Sequence, residues 1–373
     1  MGPFGDPGKA WRPPAVQAPA SIPSEPVSRD AVDGDPGAFV LAAAPRGRRN
    51  WCRGNAAIHA GNRYSMHEPD FEALAAQDGR LAKYLVRRGA CARPTLDWRR
   101  SGAAAALTRA LLAHDFGVAW RVPRGSLVPA MTGRLNYLAW LAEVLGPRDR
   151  ATALDVGCGA NIIYCILGAV ELGWDVTGVD VDDASLRAAG DVLRANPTLR
   201  PKIRLRKVAA QPGQLEHLEG QLDRARRRRS ERLRVETSPL DPTAPPRRGS
   251  GILSGAIGLG ERFDVTLCNP PFFERMEEAG SNPRTSFQGR AIEMVYPGGE
   301  RAFVRGMVLD SQTVRDAAAW FSTMVGKKST LSTTRALLHA LGAKAVRTTT
   351  LSQGKTMRWA IAWSWRPKRP RSP

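Results

Sequence analysis

The chain has 373 residues, 43% of them hydrophobic, enough for one large domain with additions or for two domains. Lys and Arg number 55 against 35 Asp and Glu, a net charge of +20 with an isoelectric point near 10.7, so the surface attracts polyanions, RNA or DNA first. Cys52, Cys91, Cys158, Cys165 and Cys268 include no C-x-x-C pair, which argues against zinc and a disulfide framework and for a reducing compartment; no apolar run is long enough for a bilayer, and the first residues lack the apolar core of a secretory signal.

Residues 1–50 are rich in Pro, Ala and Gly without periodicity and read as disordered. Residues 51–132 read as a helical, basic region, with a helix from Ala103 to Phe116 that carries Leu107, Leu111 and Leu112 on one face and stops at Gly117. Here Arg87, Arg88, Arg93, Arg99 and Arg100 are interleaved with Trp51, Tyr64, Phe71, Tyr84 and Trp98. That mixture suits stacking on unpaired bases while phosphates are neutralised; a solvated basic face over an aromatic core is the other reading.

Residues 133–366 read as the main domain. A helix at Gly133 to Leu145 precedes a strand at Ala151–Val156, a tight loop Gly157-Cys158-Gly159-Ala160-Asn161, a helix at Ile162–Leu172, a strand ending near Asp180, a helix capped by Asp182 or Asp183, and a strand at Ile203–Val208. This alternation is that of a doubly wound parallel sheet. At 211–260 it breaks: Arg224 and Arg226 to Arg229 are followed by Pro242, Pro245 and Pro246, and the segment reads as a mostly disordered basic insertion. Phe263 to Leu267 reads as a buried strand stopping at Asn269, and residues 277–299 as a loop containing Arg284 and Arg290. A helix from Arg301 to about Leu309, a helix end and strand within Ala317–Val325, a helix at Leu331–Leu341 and a hairpin of Ala345–Leu351 with Met357–Trp365 complete the domain. The basic tail, 367–373, resembles a nuclear-import patch, or is a solvated terminus; a nucleus, or else the cytoplasm, is the compartment expected.

Two stretches carry chemistry. After the Phe263 strand comes Asn269-Pro270-Pro271-Phe272. Neither proline has an N–H, and each restricts the residue before it, so the turn is stiff and preset. The Asn269 side-chain oxygen and the Pro270 carbonyl can both accept from an exocyclic amine, and Phe272 can stack on the ring that carries it. A plain Asn-Pro turn beside a core phenylalanine is the alternative for these four residues taken alone. Upstream, Gly157 and Gly159 allow close backbone approach to a ligand, and Asp180 ends the second strand 23 residues after Gly157, where a carboxylate can accept from both ribose hydroxyls. The third glycine of a dinucleotide fingerprint is replaced by Ile162, so nothing argues for a pyrophosphate. With Asp155 at the strand end, the loop suits S-adenosylmethionine, whose ammonium needs acceptors and which has no phosphate. Arg134, in the preceding helix, can hold the cofactor carboxylate or be a surface arginine.

Asp155-Val-Gly-Cys-Gly-Ala-Asn, Gly178-Val-Asp-Val-Asp-Asp and Cys268-Asn-Pro-Pro-Phe-Phe resemble the RNA adenine-N6 methyltransferases, the family of the bacterial F-type methyltransferase of large-subunit ribosomal RNA and of eukaryotic methyltransferase-like protein 16. The likeness spans most of residues 55–365, through Asn62-Arg63-Tyr64, Arg134-Leu135-Asn136-Tyr137, Gly298-Gly299-Glu300 and Gln353-Gly354-Lys355-Thr356-Met357-Arg358-Trp359. It implies a class I (Rossmann-like), S-adenosylmethionine-dependent α/β fold with a helical basic N-terminal region. It further implies methylation of N6 of an adenosine in structured RNA, U6 small nuclear RNA or a messenger-RNA hairpin in the eukaryotic branch. Catalysis falls to Asn269, Pro270, Pro271 and Phe272; the cofactor to Arg134, Asp155, Gly157, Gly159, Asp180 and Asn269; RNA contact to Arg63, Arg284, Lys355 and Arg358. His59-Ala60-Gly61-Asn62-Arg63 departs from the family's His-Pro-Arg-Asn-Arg, which puts part of the RNA grip in question. Ribosomal RNA methylation, methylation of a protein glutamine and a catalytically silent RNA-binding protein are the competing functions; the charge opposes the second of these, and intact Asn269, Pro270, Phe272 and Asp180 the third.

Overall fold

The computed structural model describes residues 58–65, 68–87, 94–211, 214, 217, 251–280, 289–353 and 356–367. The 1–50 segment, Arg88, Arg93, most of the 211–260 insertion, Arg284, Lys355 and most of the basic tail lie outside them.

The N-terminal elements begin where short polar side chains satisfy the free N–H groups of a first turn. Asp70 accepts from Glu72 and Ala73 to start α1 (Phe71–Gln77), and Asp78 from Arg80 to start α2 (Gly79–Ala82). A two-stranded ribbon, β1 (Leu85–Val86) against β2 (Thr95–Leu96), leads to α3 (Ala103–Phe116), which ends at Gly117 with φ 64°, a left-handed cap. Leu74, Leu112 and Trp120 enter the same hydrophobic cluster as Leu138 and Leu141 of α4 (Met131–Leu145), so this region is packed onto the main domain.

The main domain follows as β3 (Thr152–Val156), α5 (Ile163–Glu171), β4 (Asp175–Asp180), α6 (Asp183–Ala195), β5 (Ile203–Lys207), β6 (Phe263–Cys268), α7 (Met276–Gly280), α8 (Ala291–Met294), α9 (Gly299–Thr313), β7 (Ala318–Val325), α10 (Lys328–Ala340), β8 (Ala345–Gln353) and β9 (Thr356–Ser364). Among the described residues, seven strands form one sheet in the order β5-β4-β3-β6-β7-β9-β8, parallel except for β9, which runs antiparallel to β7 and β8. Ala153 to Val156 and Val265 to Cys268 are buried throughout, as central parallel strands covered on both faces must be. Leu138, Leu141 and Ile166 belong to one core; Phe303, Met307, Leu338, Phe321 and Trp363 belong to a second.

From β3 the chain steps out to β4 and β5, then returns to place β6 on the other side of β3. The strand order reverses there, and the crevice beyond the carboxyl ends of β3 and β6 is where open α/β sheets take ligands. Val156 pairs with Cys268, which sets Gly157 and Asn269 side by side at its mouth.

Three expectations need correction. Residues 251–260, expected in the disordered insertion, are folded: Leu253 and Ala256 are buried, and the Asp310 carboxylate accepts from Leu253 N at 2.5 Å and Ser254 N at 2.8 Å. The 277–299 segment holds the short helix α8 and most of α7 rather than loop alone. No helix ends within Ala317–Val325, because α9 stops at Thr313. No helix among the described residues is long and apolar enough to cross a membrane.

Candidate active site

The loop after β3 is held against the end of β4, with Gly157 N and Cys158 N both donating to the Val179 carbonyl at 2.9 and 3.0 Å. Gly157 and Gly159 sit at φ 74° and 64°, where a side chain is strained. Asp180 fastens the same loop: one oxygen accepts from Gly159 N at 2.8 Å, the other from Asp182 N at 2.9 Å. Burial pushes the Asp180 carboxyl up, against those backbone bonds. Each oxygen keeps a further lone pair, the capacity that ribose hydroxyls require.

Asp155 lies below the loop, 1% exposed. Its Oδ2 accepts from the Cys165 thiol at 3.4 Å, while its buried Oδ1 has no hydrogen-bond partner among the described residues. Burial pushes this carboxyl up to about 7, and the Asp180 charge adds to the shift. The folded chain therefore holds this proton more tightly than the unfolded chain does. The stability this contributes is fully present below about pH 4 and is lost as pH rises through about 7. Thermal unfolding of Asp155→Asn without ligand is accordingly expected to vary less between about pH 5 and pH 8 than that of the native protein. An equal or steeper pH dependence in the variant counts against a neutral, buried Asp155.

On the other side of the crevice, Arg134 Nη1 donates to Asn269 Oδ1 at 2.7 Å and Tyr164 OH at 2.8 Å, and meets Met324 Sδ at 3.0 Å. The arginine thus ties α4 to α5, β6 and β7 and fixes which way the Asn269 amide points. A carbonyl oxygen has two lone pairs, so Asn269 keeps one for an incoming amine. Pro270 is buried and Pro271 half-buried, and the turn delivers a half-buried Phe272. A Cβ at Gly326 would lie 2.8 Å from the Phe272 ring, so this ring rests against a bare glycine. Glu300, itself buried, holds that glycine by accepting from Gly326 N and, at 3.2 Å, from Lys327 N. The Arg358 guanidinium stands 5.4 Å from the Phe272 centroid, placing one expected RNA contact beside the expected stacking ring.

Arg63 is different. Its Nε and Nη2 engage Glu171 at 3.2 and 2.8 Å, its Nη1 donates to the Asp115 carbonyl at 2.7 Å, and its guanidinium lies 4.2 Å from the Phe116 centroid. A guanidinium so committed is an internal brace, a role that competes with the RNA contact the resemblance implies. Arg63→Ala would leave the buried Glu171 without its counter-charge, at a cost of about 3–5 kcal/mol. A lower unfolding temperature with RNA affinity unchanged is the expected result; lost affinity at native stability would restore the RNA role. Tyr64 is likewise core, donating to Asp115, whereas Trp98 is the exposed aromatic among the described residues, 58% accessible beside Arg99 and Arg100.

Reading the sequence missed Glu293, Tyr164 and Met324. Glu293 sits in the expected loop, and its one signal was an acidic residue inside the apolar run Ala291-Ile-Glu-Met-Val. Its Oε2 accepts from Leu127 N at 3.1 Å and Arg290 N at 2.8 Å, and burial and then the Asp180 charge push its carboxyl up.

The acceptors around the glycine loop fit S-adenosylmethionine: Asp155 Oδ1 and Glu293 Oε1 are buried without described partners, and Asp180 faces the same loop. Donor-rich ammonium and ribose groups match such a rim, and phosphates do not. This strand order, with an acceptor-lined glycine loop beside an Asn-Pro-Pro-Phe turn, defines a class I methyltransferase. The chain belongs to a family of RNA methyltransferases whose model matches residues 53–225 and 246–367. It is 33% identical over 340 residues to ribosomal RNA large subunit methyltransferase F of Pseudomonas aeruginosa (strain LESB58), covering 84% of this chain and 89% of that one. The same-named protein of Cytophaga hutchinsonii is 30% identical over 335 residues, covering 83% and 92%. The human METTL16 catalytic domain in complex with MAT2A 3'UTR hairpin 1 superposes with a TM-score of 0.67 at 29% identity, covering 85% of this chain and all of that one. The N-terminal domain of human METTL16 in complex with SAH superposes with a TM-score of 0.59 at 28% identity, covering 83% and 99%.

Proposed function

We propose that this protein methylates N6 of an adenosine in structured RNA, with S-adenosylmethionine as methyl donor. The observation that carries the reading is the Val156–Cys268 register, which sets an amine-gripping turn beside a cofactor loop. The target base leaves its stack and enters beside Phe272. Asn269 Oδ1 and the Pro270 carbonyl each accept from the exocyclic amine, turning the nitrogen lone pair toward the glycine loop. Arg134 holds the Asn269 oxygen in place by its 2.7 Å bond. When bound, S-adenosylmethionine supplies the electrophilic methyl group. The amine sheds its extra proton to water after transfer, so alignment supplies most of the effect and no general base is needed.

Two RNA classes compete. The 33% identity to a ribosomal RNA large subunit methyltransferase favours ribosomal RNA, and the likeness to METTL16 bound to a MAT2A hairpin favours a small hairpin. A nuclear location goes with the hairpin reading and rests on the basic tail; a cytoplasmic one goes with ribosomal RNA. The exposed Trp98, Arg99 and Arg100 supply a stacking and phosphate-binding face for either RNA. Incubation with labelled donor and either purified large-subunit ribosomal RNA or hairpins carrying one unpaired adenosine separates the two. Incorporation into one class names the substrate, and incorporation into neither, with tight RNA binding, supports a silent RNA-binding protein.

A further inference from the structure

Glu293 stands outside every motif that defines the cofactor loop, yet it reaches that loop. A Cβ on Gly159 would lie 3.7 Å from Glu293 Oε1, so this oxygen borders the open side of the glycine whose N–H is bound to Asp180. Its other oxygen is occupied by Leu127 N and Arg290 N, which fixes the side chain's direction. Oε1 itself is buried and has no hydrogen-bond partner among the described residues. A buried carboxylate oxygen without a donor is costly, and persists where a donor arrives with a ligand.

The segment carrying Glu293 is braced on both sides. Arg290 donates to Asp182 at 2.6 Å and to Ser185, fastening the segment to the start of α6. Phe273 N donates to Met294 O and Tyr296 N to Phe273 O, each at 3.0 Å, fastening it to the residue after Phe272. The segment therefore bridges the cofactor end and the target end of the crevice.

We propose that Glu293 is a further cofactor-binding residue, its Oε1 accepting from a ribose hydroxyl of the methyl donor opposite Asp180. Arg290 is a positioning residue that holds it there.

This rests on S-adenosylmethionine being the donor, and the test separates the two claims. Calorimetric titration of native protein and Glu293→Gln uses three probes: S-adenosylhomocysteine, 5′-methylthioadenosine and 2′,3′-dideoxy-5′-methylthioadenosine. The second lacks the amino-acid part, and the third also lacks the ribose hydroxyls. Replacing a charged acceptor with an amide is expected to weaken the first two probes equally, by roughly tenfold, and to leave the third unchanged. Equal affinities of native and variant protein for all probes would overturn the proposal. So would a loss confined to S-adenosylhomocysteine, which would put the contact on the ammonium, or a loss that persists with the dideoxy probe. Failure of the native protein to bind S-adenosylhomocysteine would instead sink the donor assignment. Thermal unfolding of the variant confirms that it is folded, and Glu293→Asp, which retracts the oxygen without removing its charge, replaces it if it is not.

Discussion

Asn269→Ala is expected to lower the rate of methyl transfer by about a thousandfold or more while RNA affinity stays within about twofold. In the proposed reaction the side chain supplies one of two acceptors that orient the amine. Alanine also leaves Arg134 without its 2.7 Å partner, though Tyr164 OH at 2.8 Å still holds that guanidinium in place. RNA affinity is insensitive because phosphate contacts dominate it and Asn269 is half-buried. Asn269→Asp is the informative companion. It keeps an acceptor at the same position and a partner for Arg134, so it should retain far more activity than alanine. Single-turnover rates beside RNA binding curves measure both effects. Equal rates for the alanine variant and the native protein would remove Asn269 from the reaction.

Asp180→Ala is expected to weaken S-adenosylhomocysteine binding by roughly a hundredfold. Two losses combine. The ribose site loses its carboxylate, and Gly159 N and Asp182 N lose the acceptor they share at 2.8 and 2.9 Å. Among the described residues, the backbone bonds to the Val179 carbonyl then hold the glycine loop to β4. RNA binding should be untouched, because Asp180 is buried and anionic and makes no surface for phosphate. Calorimetry with S-adenosylhomocysteine reads the change. An unchanged affinity would mean that the acidic end of β4 shapes the loop but does not touch the donor.

The main sheet was legible because its physics is local. Buried parallel strands read as short apolar runs, and the glycines and prolines that end them read as loops. The placement of the candidate residues is legible for the same reason: Gly157, Asp180 and Asn269 each stand at a strand end, and strand ends are visible in a sequence. What was illegible depends on partners far along the chain. Arg63 looked like a free cation until Glu171, 108 residues on, took its guanidinium. Leu253 and Ala256 fall in the segment that reads as a disordered insertion, and Asp310, from α9, gathers that stretch into a turn. Arg134 was assigned to the cofactor, and its bond to Asn269, 135 residues away, could not be seen. Glu293 was hidden by brevity, since a helix of four residues leaves no periodicity to detect.

The central claim is that an amine-gripping turn and a donor site share one crevice. It is tested most directly by supplying S-adenosylmethionine with a deuterated methyl group, digesting the RNA product to nucleosides and locating the label by mass spectrometry. The label is expected to leave with the base of adenosine and to co-elute with N6-methyladenosine. Label on the ribose, on another base, or at a ring nitrogen of adenine would contradict the role assigned to Asn269 and Pro270.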